Sequence, residues 1–205
     1  MSLPQNLGVV ILGAGASSRM GRPKLLLPWR DTTVIGQIIC QWRELGACQI
    51  AVVHRPGDAA LAIELDRLKF PSQDCIKNSH PEHGMFSSIQ CAASWNGWKP
   101  HLALWAIVLG DQPHLRLETL QALLAFQCEH PNTICQPSYL GHGSHPVLLP
   151  RQAFDELKCS REQTLKEFLE RASCQSVKCP IEDRGLSLDM DTPEDYIRLH
   201  DSLNP

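Results

Sequence analysis

The chain has 205 residues, of which 43% are hydrophobic and 20% charged, and its formal net charge at pH 7 is -3. This length supports one sizeable core and favours a single domain spanning residues 1–205. The small negative charge argues against a nucleic-acid or membrane partner, which would normally need a basic face. No apolar run approaches the roughly 18 residues that span a bilayer, and no signal-peptide core precedes Gly8, so a cytoplasmic location is expected.

Short apolar runs alternate with amphipathic stretches along the chain. The runs Leu7–Leu12 and Leu104–Leu109 are typical of strands buried on both faces. Thr192 followed by Pro193, with Asp195 three residues after Thr192, resembles the capped start of a last helix. The predicted strands are 7–12, 50–53, 75–79, 104–109, 133–140, 144–149, 175–178 and 186–190; the predicted helices are 34–45, 59–68, 85–95, 117–126, 151–158, 163–172 and the last one.

This alternation predicts an α/β fold with a mostly parallel sheet. In such sheets the ligand site lies beyond the carboxyl ends of the strands. We therefore expect the functional residues in the loops that directly follow strands.

Cysteines and histidines give weaker signals. The nine cysteines include no C-x-x-C pair, which argues for free structural thiols and against a disulfide framework. Cys40, Cys91 and Cys128 fall in apolar-periodic stretches, where a thiol packs as a small hydrophobe. His142 and His145 are three residues apart, but the neighbouring glycines indicate a turn. His145 is interpreted as a structural histidine or as part of an acceptor pocket.

The loop after the first strand combines glycine with positive charge. Gly13 and Gly15 allow a tight turn whose backbone N–H groups can face an anion. Arg19, Arg22 and Lys24 then bring three cations into six residues. This combination favours phosphate binding.

Three other interpretations of the loop are weaker. Solvated charges on a glycine turn would explain the composition alone. A Rossmann dinucleotide loop needs a third glycine where Ser18 stands and an acidic end to the second strand, where the residue is His54. A Walker loop needs Gly-Lys-Ser/Thr, which the segment lacks.

Two further strand-to-helix junctions carry carboxylates. Asp111 follows the run 104–109, and Gly110 beside it removes a side chain that would crowd the edge of the sheet. Asp111 could cap the helix that follows Pro113, but a carboxylate opposite a triphosphate loop is also suited to holding Mg²⁺. Asp191 stands at the second junction, where a metal or ribose contact and a helix cap are equally good interpretations.

The motifs together resemble the molybdopterin-guanylyltransferase-like nucleotidyltransferases, and most closely the molybdenum cofactor cytidylyltransferase branch. They occur in the family's order from residue 8 to about 200. The matching segments are Leu12-Gly13-Ala14-Gly15 with Ser18-Arg19-Met20-Gly21-x-Pro23-Lys24-Leu25-Leu26-Leu27-Pro28, Gly84-Met85-x-Ser87-Ser88-Ile89, Leu109-Gly110-Asp111-Gln112-Pro113, His145-Pro146-Val147-Leu148, and Asp189-x-Asp191-Thr192-Pro193-Glu194-Asp195.

The resemblance implies a three-layer α/β/α sandwich of the Rossmann-like nucleotidyltransferase type. It implies that Lys24 and Arg19 neutralise the triphosphate and, with Asp111, form the catalytic set. It further implies that Asp111 and Asp191 hold Mg²⁺. The nucleotide-binding residues that it implies are Leu12, Gly13, Ala14, Gly15, Ser18, Arg19, Lys24, Gly84, Met85, Ser88 and Gly110.

The implied reaction transfers a nucleotide from CTP or GTP to the terminal phosphate of molybdopterin and releases pyrophosphate. Gly-Ala-Gly and Pro23-Lys24-Leu25 favour CTP, since the guanylyl enzymes typically carry Ala-Gly-Gly and Asp-Lys-Gly. Gly13 in place of the commoner alanine and the bulky Phe86 depart from the family pattern. Partners beyond the substrates would be a molybdoenzyme or its chaperone. The alternatives are another small phosphate acceptor, a non-catalytic nucleotide- or molybdopterin-binding module, and a dinucleotide oxidoreductase, which the loop spacing disfavours.

Overall fold

The computed structural model describes residues 6–15 and 20–201. Ten strands and seven α-helices lie in these ranges. The strands are β1 Leu7–Leu12, β2 Pro28–Trp29, β3 Thr32–Thr33, β4 Gln49–His54, β5 Cys75–Lys77, β6 Leu104–Leu109, β7 Ile134–Tyr139, β8 His142–Gly143, β9 Val147–Pro150 and β10 Ser176–Pro180. The helices are α1 Val34–Glu44, α2 Ala59–Arg67, α3 Met85–Ser94, α4 Leu117–Glu129, α5 Arg151–Glu156, α6 Leu165–Arg171 and α7 Pro193–Asp201.

Eight strands form one sheet in the order β10-β7-β9-β6-β1-β4-β5, with β8 paired to β7. β1 lies parallel to both β4 and β6, β4 is parallel to β5, and β7 is parallel to β10. β9 is antiparallel to β6 and β7. The carboxyl ends of β1, β4 and β6 therefore meet at one edge, and the predicted, mostly parallel sheet is confirmed.

Both faces of the sheet are covered. Val9 and Val10 follow each other in β1 and are both fully buried, but they belong to different hydrophobic clusters, because successive side chains of a strand point to opposite faces. Helices α1 and α4 supply one cluster, and α3, α5 and α6 supply the other. The fold is therefore the expected three-layer α/β/α sandwich.

Most predicted elements are confirmed with small shifts at their ends, but the strand predicted at 186–190 is wrong. Residues Arg184–Ser187 form a 3-10 turn, and the Asp183 carboxylate accepts a hydrogen bond from Gly185 N at 2.9 Å. The apolar residues of this segment alternate because Leu186 and Met190 pack into the core. The segment forms no strand pairing with the described residues. The short strands β2, β3 and β8 are too brief to leave a periodic signal.

The thiol prediction is partly confirmed. All nine cysteines are free, but Cys40 and Cys128 are exposed on their helices instead of packing as small hydrophobes. Among the described residues, no helix combines the length and apolarity required to cross a membrane.

Candidate functional site

A cleft of about 590 Å³ lies where the carboxyl ends of β1 and β6 meet the start of α3. Its lining brings together residues that the sequence separates by almost 100 positions. Ten of the residues predicted for the site line it: Leu12, Gly13, Ala14, Gly15, Lys24, Gly84, Met85, Ser88, Gly110 and Asp111. The predicted contacts of Ser18 and Arg19 fall outside the described residues.

Two glycines allow the backbones at this edge to approach closely. Gly13 N donates to Val53 O at 2.7 Å, and Gly110 N donates to Leu12 O at 3.1 Å. A Cβ on Gly110 would lie 2.6 Å from Leu12 O and 2.7 Å from a methyl carbon of Leu25. A side chain at position 110 would thus collide with the end of β1, which is a more specific reason for glycine than the crowding expected from the sequence.

The opposite wall of the cleft is the start of α3. Gly84 has a φ of 85°, in the region that favours glycine, and the helix begins directly after it. The buried Asn78 amide donates to Ser87 Oγ at 2.9 Å and Ser88 Oγ at 3.0 Å, while its oxygen accepts from His80 N at 2.9 Å. Asn78 therefore fixes both the loop before α3 and its first turn, a role that the sequence did not indicate.

The Lys24 ammonium lies between two carboxylates. Its Nζ is 2.7 Å from Asp191 Oδ1 and 3.2 Å from Asp111 Oδ2. Burial works against the charged ammonium, but the hydrogen bonds and charges of Asp191 and Asp111 outweigh it, so the pKa of Lys24 is above its usual value. The three predicted charged residues therefore form one cluster at the edge of the sheet.

The helix that follows Asp191 has capping residues of its own. α7 is capped reciprocally by Thr192 and Asp195: Asp195 N donates to Thr192 Oγ1 at 3.2 Å, and Thr192 N donates to Asp195 Oδ2 at 3.0 Å. The capping box expected from the sequence is thus confirmed. The cap therefore belongs to Thr192 and Asp195, while the Asp191 carboxylate contacts Lys24, so the described contacts favour a role for Asp191 in the cluster.

The segment that carries Asp191 adds further negative charge. The pKa of Asp189 is raised by partial burial and by the negative charges of Asp191 and Asp111. Asp111, Asp189 and Asp191 thus place three carboxylates near the Lys24 ammonium. Their oxygens are the hard donors that Mg²⁺ or Mn²⁺ take in proteins, so Asp111 and Asp191 could hold such an ion.

A buried network braces this acidic segment against the rest of the fold. Asp183 accepts hydrogen bonds from Thr119 Oγ1 and Gly185 N, and its Oδ2 lies 3.2 Å from Arg116 Nε. A nitrogen of His114, Nε2, lies 3.1 Å from Gly185 O, and burial lowers the pKa of His114. The segment is therefore attached to the start of α4 at several points.

His145 lies at the same edge but outside the cleft lining. Its Nδ1 is 3.3 Å from Ile107 O, and burial lowers its pKa, so the ring is neutral near pH 7. These contacts favour the structural interpretation of this residue.

The cleft also contains residues that were not predicted to bind the nucleotide. Leu25 and Leu109 belong to the matching motifs, while Arg55, Pro81 and Glu82 belong to none of them. Arg55 directly follows β4, and a rule that inspects every residue after a parallel strand would have found it. Pro81 and Glu82 lie in a loop whose position depends on Asn78, so no local pattern marks them.

The family comparison matches the MobA-like NTP transferase domain over residues 9–177. The chain belongs to this family. The match includes the glycine loop, Lys24, the start of α3 and Asp111, so the MobA-like residues are the ones that build the cleft.

This MobA-like chain is similar to several named proteins. It is 25% identical to the molybdenum cofactor cytidylyltransferase of Escherichia coli K12, with 92% of each protein covered. It is 26% identical to the molybdenum cofactor guanylyltransferase of Xanthomonas euvesicatoria, with 97% of each covered. The crystal structure of Rv0371c from Mycobacterium tuberculosis H37Rv superposes with a TM-score of 0.76 at 26% identity, covering 98% of this chain and 100% of that one.

Proposed function

We propose that this protein is a divalent-metal-dependent nucleotidyltransferase that transfers CMP from CTP to the phosphate of molybdopterin and releases pyrophosphate. The observation that carries the proposal is the contact of Lys24 with both Asp111 and Asp191 beside the glycine-lined cleft. A triphosphate requires positive charge and free amides on one side and a carboxylate-held cation on the other. The Lys24 ammonium, the glycine-rich turn and the carboxylates that would hold the cation lie at one edge of the cleft.

The oxygen donors of the cluster support a divalent ion. Asp111 and Asp191 both contact the Lys24 ammonium, and their carboxylate oxygens are the hard ligands that Mg²⁺ takes. Asp111 and Asp191 would hold Mg²⁺, which supplies charge neutralisation at the triphosphate. A structure of Rv0371c is described as a complex with manganese, and it superposes on this chain with a TM-score of 0.71 at 24% identity.

The protein's own groups have separate tasks in this reaction. An acceptor phosphate oxygen attacks the α-phosphorus in line, the bond to the bridging oxygen breaks, and pyrophosphate leaves. Two anions must meet, so positioning and charge neutralisation supply most of the rate enhancement. Lys24 exchanges its carboxylate partners for phosphate oxygens, and Arg19 assists it. The amides of Ala14 and Gly15 bind phosphate beside Gly13, whose own N–H donates to Val53 O. The first turn of α3, with Gly84, Met85 and Ser88, holds the base and ribose.

No strong general base is needed, because a phosphate monoester is already ionised near neutral pH. The positions of two buried histidines agree with this, since His114 and His145 lie outside the cleft lining and each ring contacts a backbone carbonyl.

CTP is favoured by the first loop, which reads Gly13-Ala14-Gly15, and by the Pro23-Lys24-Leu25 sequence. A guanylyltransferase that uses GTP is the second candidate, because relatives of both specificities match nearly the whole chain at similar identity. Both hydrophobic clusters share one sheet, which supports a single nucleotidyltransferase domain over residues 1–205. A cytoplasmic location, and a molybdoenzyme or its chaperone as recipient of the product, complete the proposal.

The test begins with thermal unfolding in the presence of Mg²⁺ and each of the four common triphosphates. We expect CTP to raise the melting temperature most; a larger shift with GTP would favour the second candidate. Pyrophosphate release is then measured with and without molybdopterin, and with other small phosphates as acceptors. Nucleotide binding without pyrophosphate release for any acceptor would instead support a non-catalytic binding module.

A pair of variants tests the site itself. Asp111→Asn should lose turnover while keeping the fold, because it removes a carboxylate from the cluster. Asp155→Asn is the matched control, since Asp155 is 47% exposed and pairs only with Lys158 among the described contacts. Retained turnover in Asp111→Asn would contradict the role of Asp111.

A further inference from the structure

Three side chains at the mouth of the cleft converge on one point. His80 Nδ1 lies 3.2 Å from Glu82 Oε1, and His83 Nε2 lies 3.8 Å from the same oxygen. The two imidazole rings are stacked, with centroids 5.2 Å apart and planes 12° from parallel. One potential ligand atom from each of the three residues lies within 4.8 Å of the other two.

The backbone explains why the two rings face each other. Residues Pro81–His83 form a 3-10 turn that His80 precedes, and in such a turn the side chains at positions i and i+3 are eclipsed. His80 and His83 have this spacing, and Glu82 reaches the space between them. The arrangement is therefore a consequence of local geometry.

Hydrogen bonds with Asn78 and Ser87 hold this turn in place. His80 N donates to the buried Asn78 side chain at 2.9 Å, and Ser87 Oγ donates to His80 O at 3.1 Å. Asn78 is 1% exposed and also binds the first turn of α3. The three side chains thus project from a fixed loop, which lowers the entropy cost of gathering them around a ligand.

We propose that His80, Glu82 and His83 form a binding site for a borderline transition ion such as Zn²⁺ or Ni²⁺ at the mouth of the cleft. Imidazole nitrogen is a preferred ligand of these ions, and carboxylate oxygen completes the set. Mg²⁺ prefers oxygen ligands only, which the cluster of Asp111 and Asp191 offers instead. The chain therefore carries two cation sites of different chemistry.

The site lies where a bound ion could contact a molecule in the cleft. Pro81 and Glu82 line the cleft, and three protein ligands leave at least one position of a tetrahedral ion open. A donor atom of a molecule bound in the cleft can occupy that position. Ion binding does not rest on the proposed nucleotidyl transfer, and its failure would leave that proposal intact.

The experiment is calorimetric titration of the full chain with Zn²⁺ alone, without nucleotide or Mg²⁺. We expect one site in the native protein and about tenfold or greater weakening in His80→Ala and in His83→Ala, because each loses one of three ligands. Glu82→Gln should weaken binding as well. His101→Ala, which removes another exposed histidine, and Asp191→Asn, which alters the other cluster, should bind Zn²⁺ like the native protein.

A spectroscopic titration with Co²⁺ provides a second readout, since a histidine-ligated ion absorbs in the visible range. Circular dichroism checks that each variant is folded. The proposal is overturned if Zn²⁺ binds the double variant His80→Ala/His83→Ala as tightly as the native chain. It is also overturned if Asp191→Asn removes Zn²⁺ binding, because the ion would then occupy the carboxylate cluster.

Discussion

Lys24 Nζ and Asp191 Oδ1 lie 2.7 Å apart, although 167 positions separate them in the sequence. The surrounding contacts join the same two parts of the chain. Tyr196 in α7 donates its hydroxyl to Pro28 O at 2.6 Å, and the Arg22 guanidinium lies 5.9 Å from the centre of the Tyr196 ring. The segment that carries Lys24 and the helix that follows Asp191 are therefore one structural unit.

Replacement of Lys24 by methionine should leave Asp111 and Asp191 without the ammonium between them. We expect turnover to fall by about 10²- to 10³-fold, the size of effect seen when one electrostatic contact is removed. The free energy of unfolding should fall by about 1–2 kcal/mol, since the ion pairs of Lys24 with Asp111 and Asp191 are partly exposed. Mg²⁺ without nucleotide should stabilise Lys24→Met more than the native chain in thermal unfolding.

Lys158→Met is the matched control for this variant. Lys158 contacts Asp155 at 2.6 Å, but both side chains are nearly half exposed, so little change in stability is expected. Equal stabilisation of native chain and Lys24→Met by Mg²⁺ would contradict the view that these carboxylates accept a divalent ion.

Asp191 and Asp195 are close in sequence, but their substitution should affect different properties, the Mg²⁺ requirement for Asp191 and the stability for Asp195. Asp195→Ala removes the reciprocal cap of α7, so it should reduce stability by about 1 kcal/mol and leave the Mg²⁺ requirement unchanged. Asp191→Asn should raise the Mg²⁺ concentration needed for half-maximal turnover, with a smaller effect on stability. Urea unfolding and Mg²⁺ titration of activity separate the two, and reversal of the pattern would make Asp191 the structural residue.

Gly110→Ala tests the close approach of β1 and β6. Its methyl group would meet Leu12 O at 2.6 Å, a backbone atom that cannot move independently, so we expect a loss of about 1–3 kcal/mol. Gly15→Ala is the control in the same cleft, because its methyl group would have no atom of the described residues within 4 Å. Similar unfolding midpoints for the two variants in urea would contradict the steric argument.

Asp183→Asn should change the acid stability of the protein. Burial would raise the pKa of Asp183, but hydrogen bonds from Thr119 and Gly185 and the ion pair with Arg116 outweigh it and hold the pKa below its ordinary value of 3.8. Its contribution is therefore present above that value and is lost as the pH falls through the lower pKa of the folded state.

The native chain should accordingly lose stability more steeply than Asp183→Asn as the pH falls below about 4. At pH 7 the variant should be less stable by about 1–3 kcal/mol, because a buried hydrogen-bonded charge is lost. Urea unfolding across this pH range measures both effects. Parallel curves for the two proteins would show that Asp183 has no such role.

Thiol labelling tests the cysteine environments. Burial, together with the neighbouring Cys135 thiol, raises the pKa of Cys179 to about 11, so this thiol should resist alkylation at pH 8. Mass spectrometry after brief labelling should find modification at the exposed thiols before the buried ones. The exposed group is Cys40, Cys128 and Cys159, and the buried group is Cys135, Cys174 and Cys179. Early labelling of Cys179 would contradict this order.

Sequence patterns predicted the sheet and the cleft well, because both depend on strong local signals. Buried strands such as β1 and β6 are continuous apolar runs, and the glycines and Asp111 follow them directly. The predicted strand at 186–190 failed because alternating apolar residues also occur in an irregular segment packed on a core. The choice between cap and contact for Asp191 could not be made from sequence, since it depends on where Lys24 lies.

The position of Asp191 beyond residue 177, where the family match ends, has a practical consequence. A fragment trimmed to the matched region would retain the glycines, Lys24 and Asp111 but would lack Asp191, the nearer of these two carboxylates to the ammonium. It would also lose the Tyr196 hydroxyl that donates to Pro28 O. Sequence surveys limited to the shared domain would therefore overlook half of the acidic pair.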